Sequence, residues 1–451
     1  MNIKERILKE IFNNPNRINS FLLKLNLWPE KVYGKRYLAN KNGKINFNIE
    51  DRLLKIVNTA IKEVPYYKQR YKEVKNLKEF TSTIGFIDKS VVSENFELFK
   101  AQSIDQSKYI FGTTGGTSGK PLKFLIPKNR YEIELSTMHN MWNRTGWQYH
   151  LRGVLRNHHI PEGDVYKINP ITKEYIFDNF RLNPKYAFEI YRILKRHNIQ
   201  FIHAYPSAAY QFCKLCKEQN LDLSFINSFL CGSEGVLEFQ RKLICNELGL
   251  KIYSWYGHSE KLVLGGYCEY SNDIHIEPYY GYFELIDENN SPITEVGKVG
   301  EIVGTTLYNF GMPLIRYRTG DYAEYVGNKC KYCGREMTII KNIRGRWDKN
   351  RIFKNDGTYI TTTALNLHSE LYAYIEGLQY IQDCPGALTI LLIKSNLFKQ
   401  EHEKLFADHY KKSFGSDNSV KIEYVDQLIM QPNGKFELLI SRCLKESENK
   451  I

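Results

Sequence analysis

Apolar residues along this chain follow first a helical period and then a strand period. From residue 1 to roughly 80 they recur every third or fourth position between basic loops, starting in the charged, amphipathic Met-Asn-Ile-Lys-Glu-Arg-Ile-Leu-Lys-Glu and including the compact turn Val64-Pro65-Tyr66-Tyr67. This predicts an N-terminal helical cap. Further on, short apolar runs alternate with helical stretches: Gly153-Val154-Leu155, 199–202, Phe229-Leu230 and Lys251-Ile252-Tyr253 read as strands, and 208–219 as a helix. Strand, helix, strand at this spacing predicts an α/β fold, a layered domain on a mostly parallel sheet.

From about 276 to 326 the runs become hairpin-like, 282–286 and then 301–305, separated by Asn-Asn-Ser-Pro and glycine turns. That texture predicts a β subdomain at about 266–340. After Ile343-Arg344-Gly345-Arg346-Trp347-Asp348 come about a hundred residues with strands and helices of their own. The expected division is therefore a large N-terminal core over 1–348 and a small α+β C-terminal domain over 349–451, with a domain hinge near Asp348.

Composition narrows the function classes. A chain of 451 residues exceeds one ordinary core. It holds no run of 18 apolar residues and no signal-like start, so a protein that neither crosses a membrane nor is exported is expected. The formal charge is +13, but lysine and arginine are dispersed among acidic residues, which argues against a nucleic-acid groove and suits phosphate-bearing substrates. Nine cysteines, an odd number and mostly isolated, fit a reducing cytoplasm.

The densest chemistry lies in Gly112-Thr113-Thr114-Gly115-Gly116-Thr117-Ser118-Gly119-Lys120-Pro121. Glycines let backbone N–H groups converge on anionic oxygens, hydroxyls add donors, and Lys120 adds a mobile charge. A Walker loop needs glycine at position 114 and a hydroxyl after the lysine, where Thr114 and Pro121 stand. Pro121 before alternating residues predicts a hairpin-like loop feeding a strand. On composition alone, a phosphate grip and a plain surface loop both remain open.

Four later segments complete an ordered set: Tyr256-Gly257-His258-Ser259-Glu260, Arg316-Tyr317-Arg318-Thr319-Gly320-Asp321, Gly345-Arg346-Trp347-Asp348 and Pro432-Asn433-Gly434-Lys435. In order and spacing the set resembles the adenylate-forming ligases. Val64-Pro65-Tyr66-Tyr67, Tyr205-Pro206-Ser207, Met312-Pro313-Leu314-Ile315 running into Arg316, and Cys333-Gly334-Arg335 resemble the phenylacetate-coenzyme A ligase branch. The wording of the glycine loop is similar to that of its capsule-polysaccharide ligase-like members. The likeness covers nearly the whole chain.

The resemblance implies ATP and Mg²⁺ as cofactors, a small carboxylic acid as substrate, and coenzyme A as the default acyl acceptor, with an amine acceptor in surface-polysaccharide synthesis as the alternative. It implies that Thr113, Thr114, Thr117, Ser118, Gly119 and Lys120 hold the β- and γ-phosphates, and that Glu260 binds Mg²⁺. Tyr256 and Gly257, with Gly232-Ser233-Glu234, would line the adenine side; Asp321 would take both ribose hydroxyls. Arg346 would approach from the hinge side, and Lys435 would neutralise charge growing on the α-phosphate. Lys349 stands where the hinge pattern often has a second acidic residue, which leaves the second half-reaction open. His203, Tyr205 and His258 are candidates for the acyl pocket, beside His158 and His159. A non-catalytic nucleotide-binding protein and a basic nucleic-acid-binding protein are the competing classes, and oligomeric state, monomer or homodimer, stays open.

The cysteines carry a second constellation. Cys330-Lys-Tyr-Cys333-Gly is a knuckle whose turn lets two thiolates face one ion, and Cys268 with His275 could complete a Cys₃His set for structural Zn²⁺. A reduced surface thiol pair is the other reading. Cys213 and Cys216, one helical turn apart among Phe and Leu, read as core.

Overall fold

The computed structural model describes residues 10–25, 33–43, 47–113, 122–345, 351–362, 365, 367, 371, 374–429 and 437–443. Helices come first. In α1 (Ile49–Glu63) Asn48 caps the N-terminus by accepting from the Asp51 N–H, Glu50 and Asp51 favour its positive end, and Leu53, Ile56, Val57 and Ala60 fall on one buried stripe. Pro65 opens the next short helix, which buries Tyr66 and Tyr67. The Tyr67 hydroxyl donates to the Pro313 carbonyl at 3.0 Å and accepts from the Ile315 N–H at 3.2 Å. Two segments remote in sequence are thereby joined.

The glycine-threonine stretch lies on a hairpin. Strand β1 (Tyr109–Thr113) pairs antiparallel with β2 (Lys123–Pro127), with Thr113 opposite Lys123 at the loop end. Asn309 Nδ2 donates to the Leu125 carbonyl at 2.7 Å and holds the hairpin against the segment leading to Met312. Helix α2 (Arg130–Asn143) follows.

The α/β expectation is met by the strands that come next. They are β3 (Arg152–Leu155), β4 (Lys167–Asn169), β5 (Glu174–Ile176), β6 (Phe201–Ala204), β7 (Ser228–Gly232) and β8 (Ile252–Gly257). Strands β5, β3, β6, β7 and β8 run parallel, and β4 closes that edge antiparallel. Helix α3 (Pro184–Arg196) joins β5 to β6, and α4 (Pro206–Glu218) joins β6 to β7. Cys213 and Cys216 on α4 are fully buried among Phe212, Leu215 and Phe229, as core residues.

The β-rich stretch consists of β9 (Leu264–Tyr267), β10 (Ile274–Ile276), β11 (Gly281–Ile286), β12 (Val299–Thr306), β13 (Tyr317–Lys329) and β14 (Glu336–Arg344). Because β9 pairs antiparallel with β8, these strands continue the parallel sheet. All twelve form one ladder in the order β11-β12-β13-β14-β10-β9-β8-β7-β6-β3-β5-β4.

The last part of the chain holds the hairpin β15 (Arg351–Phe353) and β16 (Tyr359–Thr361), then a four-stranded sheet. That sheet contains β17 (Ile375–Cys384), β18 (Ala387–Lys394), β19 (Ser419–Tyr424) and β20 (Leu439–Ser441), in the order β19-β18-β17-β20, with α5 (Gln400–Phe414) between β18 and β19. Its apolar face, with Ile390, Tyr380, Phe406 and Tyr410, belongs to the same buried cluster as α3 and α4. Among the described residues no helix is long and apolar enough to cross a membrane.

Candidate functional site

Four of the parallel strands, β3, β6, β7 and β8, end at Leu155, Ala204, Gly232 and Gly257, so the next residues in each loop are Arg156, Tyr205, Ser233 and His258. Loops at the carboxyl ends of parallel strands diverge and leave a crevice there. Most of the described candidate residues gather around it.

Asp321 reaches the site through a bulge. The four steps from Arg318 to Tyr322 on β13 oppose the two steps from Glu301 to Val303 on β12, so β13 carries two extra residues. Gly320 takes φ +73° there, a conformation suited to glycine, and its N–H donates to Glu301 Oε1 at 3.0 Å. The bulge turns the buried Asp321 toward β8, where the Tyr256 hydroxyl donates to its Oδ2 at 2.8 Å. Burial first, and then the Asp321 charge, push the Tyr256 phenol well above its ordinary range, so Tyr256 stays a donor.

Glu260 lies in the loop after β8. Its Oε2 faces His258 Nδ1 at 3.0 Å, and its Oε1 accepts from the Tyr317 hydroxyl at 3.0 Å. The Val263 N–H points at His258 Nε2 at 3.3 Å, which assigns the imidazole hydrogen to Nδ1, toward the carboxylate. Burial raises the Glu260 carboxyl, but the hydrogen bonds from His258, from its own backbone and from Tyr317 outweigh it and hold the group below its usual range. It is an ionised, nearly buried oxygen donor, the kind of ligand that suits Mg²⁺. His258 thus sits against Glu260.

Gly232, Ser233 and Glu234 form the turn after β7. A Cβ on Gly232 would lie 2.4 Å from the Trp255 ring, so the glycine makes room for the indole, and Ser233 adopts φ +70°. Glu234 Oε2 accepts from the Ser207 N–H at 3.1 Å, and Oε1 accepts from the hydroxyls of Ser207 at 3.1 Å and Thr361 at 2.6 Å. Nearby, Gln240 Nε2 donates to the Tyr359 hydroxyl at 2.6 Å. The β15–β16 hairpin therefore rests on the turn after β7. His203 and Tyr205 meet around Arg156. His159 lies farther round, 3.2 Å from Ser413 Oγ on α5.

Thr113 ends β1, at the mouth of the glycine loop. Thr114, Thr117, Ser118, Gly119, Lys120, Arg346, Asp348 and Lys435 lie outside the described residues.

A second cluster sits on the far part of the sheet. Cys268 follows β9, His275 lies on β10, and Cys330 and Cys333 form the turn from β13 to β14, where Gly334 takes φ +75°. The four donor atoms lie within 4.8 Å of one another, with Cys268 Sγ 3.8 Å from Cys330 Sγ and Cys333 Sγ 3.9 Å from His275 Nε2. Tetrahedral Zn–S bonds of about 2.3 Å place two sulfurs about 3.8 Å apart, so the donor set fits zinc in identity and spacing.

Comparison with known proteins follows this geometry. Residues 352–442 match the family model described as CapK C-terminal domain. A stretch of 133 residues is 34% identical to phenylacetate-coenzyme A ligase of Thermus thermophilus, covering 29% of this chain and 30% of that ligase. The whole architecture is similar to 2-hydroxyisobutyryl-CoA ligase. In its complex with 2-HIB-AMP and CoA in the thioesterification state, the alignment has a TM-score of 0.58 at 16% identity over 89% of this chain and 91% of that one. In its postadenylation state with 2-HIB-AMP the score is 0.55, covering 89% and 90%. The chain shares the fold of this ligase.

Several residues of the site were not singled out by sequence. Tyr317 holds Glu260, and Ser207 and Thr361 hold Glu234, although the first two stand inside the quoted motifs. Arg156, Trp142 and Trp255 were missed altogether. A signal for Arg156 existed: it directly follows a predicted strand of a parallel sheet, where site residues concentrate.

Proposed function

We propose that this protein is an AMP-forming carboxylate ligase. A carboxylate oxygen of the acid attacks the α-phosphorus of ATP, the bond to the bridging β-phosphate oxygen breaks, and pyrophosphate leaves. A nucleophile then attacks the acyl carbon of the resulting acyl-adenylate and AMP departs. The default acceptor is the coenzyme A thiol, which gives up its proton.

The supporting observation is the pair of carboxylates, Asp321 and Glu260, each held by a tyrosine hydroxyl where β8 and β13 meet the crevice. Asp321 would orient the ribose, with Tyr256, Gly257, Gly232, Ser233 and Glu234 along the base. Glu260 would hold Mg²⁺, which neutralises charge on the phosphate oxygens. The glycine loop, including Thr113 and Lys120, would grip the leaving pyrophosphate; Arg346 and Lys435 would bring positive charge from the hinge and C-terminal domain. Cys268, His275, Cys330 and Cys333 would hold a structural zinc away from the chemistry. The alternative acceptor is an amine in surface-polysaccharide synthesis, a setting with which the CapK C-terminal domain match agrees.

ATP–pyrophosphate exchange over a panel of aliphatic, aromatic and amino acids tests the first half-reaction, followed by thiol and amine acceptors for the second. Exchange that depends on an added acid is expected. Its absence across the panel would leave a nucleotide-binding protein without turnover.

A further inference from the structure

Trp255 and Tyr256 are neighbours on β8 and point to opposite faces of the sheet. Tyr256 packs with the β-rich core, while Trp255 packs on the side covered by α2. On that side Trp142 of α2, Trp255 and His203 form a triangle of rings, with centroids 5.1 Å apart for Trp142–His203 and 5.5 Å for each of the other two pairs. Arg156 lies at this triangle. One guanidinium nitrogen donates to His203 Nε2 at 2.5 Å and another to Ser233 Oγ at 2.6 Å, and the group lies 4.7 Å from the Tyr205 ring centre.

The charge here is set apart from those around it. Arg152, Arg144 and Arg181 on the same side each pair with a carboxylate, from Glu174, Glu277 and Asp178. Among the described residues no carboxylate lies within ion-pair distance of Arg156. Glu234 senses its field, but both Glu234 oxygens already accept from Ser207 and Thr361. His203 supplies no negative charge: burial, and then the Arg156 charge, hold it well below its ordinary range, and a neutral ring that accepts at Nε2 keeps its hydrogen on Nδ1. A partly buried guanidinium held by two neutral acceptors, with aromatic walls, is a prepared site for a planar anion.

We infer that the acid this ligase activates carries a second anionic group, a carboxylate or its equivalent, and that Arg156 is the residue that recognises it. The inference rests on the ligase reading and deepens it. The acid lies with its reacting carboxylate at the nucleotide side of β8, passes the edge at Gly232, and places its other anionic end between Arg156, His203 and Trp255.

The test is ATP–pyrophosphate exchange with matched pairs, hexanoate against adipate and benzoate against isophthalate, in the wild-type protein and in Arg156→Met and Arg156→Lys. The diacid of a pair should exceed its monoacid by about 10-fold or more in kcat/KM, through KM. Arg156→Met should abolish that preference, and Arg156→Lys should keep part of it. Equal use of both acids by the wild type, or an equal loss for every acid in Arg156→Met, overturns the inference; the second result would place Arg156 at the reacting carboxylate. Calorimetry with AMP separates the two readings. AMP binding and monoacid exchange without diacid preference overturns the Arg156 assignment alone, whereas neither exchange nor AMP binding removes the ligase reading.

Discussion

Thr361 on β16 donates its hydroxyl to Glu234 Oε1 at 2.6 Å, so a residue of the C-terminal part of the chain completes the coordination of a buried carboxylate in the core. Burial pushes the Glu234 carboxyl up, and the Thr361 and Ser207 hydrogen bonds pull it back. The contact thus stabilises the docked position of the β15–β16 hairpin. Thr361→Val is expected to slow transfer of a preformed acyl-adenylate several-fold while leaving ATP–pyrophosphate exchange near wild type. Single-turnover measurement of the two half-reactions checks this, and equal loss in both would mean that the contact is not specific to one arrangement.

Asp321 carries a nucleotide prediction. Hydrogen bonds to a charged group contribute about 1.5–3 kcal/mol, so Asp321→Ala should weaken AMP binding by roughly 10- to 100-fold in calorimetry. Asp321→Asn, which can still accept from Tyr256, should fold normally and lose a smaller part. Unchanged AMP affinity in both variants would place the ribose elsewhere.

Tyr317 sets the acid limb of the pH profile. The Glu260 carboxyl stands below its usual range because hydrogen bonds from His258 and Tyr317 outweigh burial. Tyr317→Phe removes one lowering contribution, so the folded-state value moves up and Glu260 gains its proton at a higher pH. Mg²⁺-dependent exchange should then fall away at higher pH on the acid side than in the wild type. An acid limb that does not move in Tyr317→Phe would take Glu260 out of the metal's coordination.

Arg316 and Glu284 make a stability prediction. The guanidinium lies bidentate on the carboxylate, at 3.2 and 2.9 Å, with side chains 3% and 5% exposed, and it also donates to the carbonyls of Thr81 and Ile84. Glu284→Ala strands a buried cation and should cost about 3–5 kcal/mol in chemical denaturation. The exposed pair of Arg192 with Glu189 on α3 should cost about 1 kcal/mol or less when Arg192 is changed to Ala. Equal losses in the two variants would contradict this account.

The cysteine cluster predicts a bound metal. Protein prepared without chelators should carry one zinc per chain, and Cys330→Ser should lose it and melt several degrees lower. Metal analysis with thermal unfolding checks both, and zinc-free protein with an unshifted Tm on zinc addition rules the site out.

Much of this architecture was legible because short-range rules decide it. Pro121 before alternating apolar residues marked the strand of the β1–β2 hairpin, and the runs at 153–155 and 229–230 became β3 and β7. The knuckle at Cys330 and Cys333 follows from spacing. What remained hidden depends on pairing between remote strands. Cys268 and His275 were expected at the knuckle on residue type, but the pairing that brings them there, β10 between β9 and β14, has no local signal. The β-rich stretch joins the parallel sheet because β9 turns back antiparallel on β8, and no local period announces such a partner. The surroundings of Arg156 stayed hidden for the same reason, since its neighbours His203, Ser233 and Trp255 come from three separate elements.

Gly232 and Trp255 form a coupled pair of positions. With only 2.4 Å between a Cβ at 232 and the indole, the two sites share one volume, and a side chain at 232 can be accommodated only when 255 is small. Homologous chains should therefore exchange size between these positions, and libraries meant to widen the range of accepted acids should vary both together.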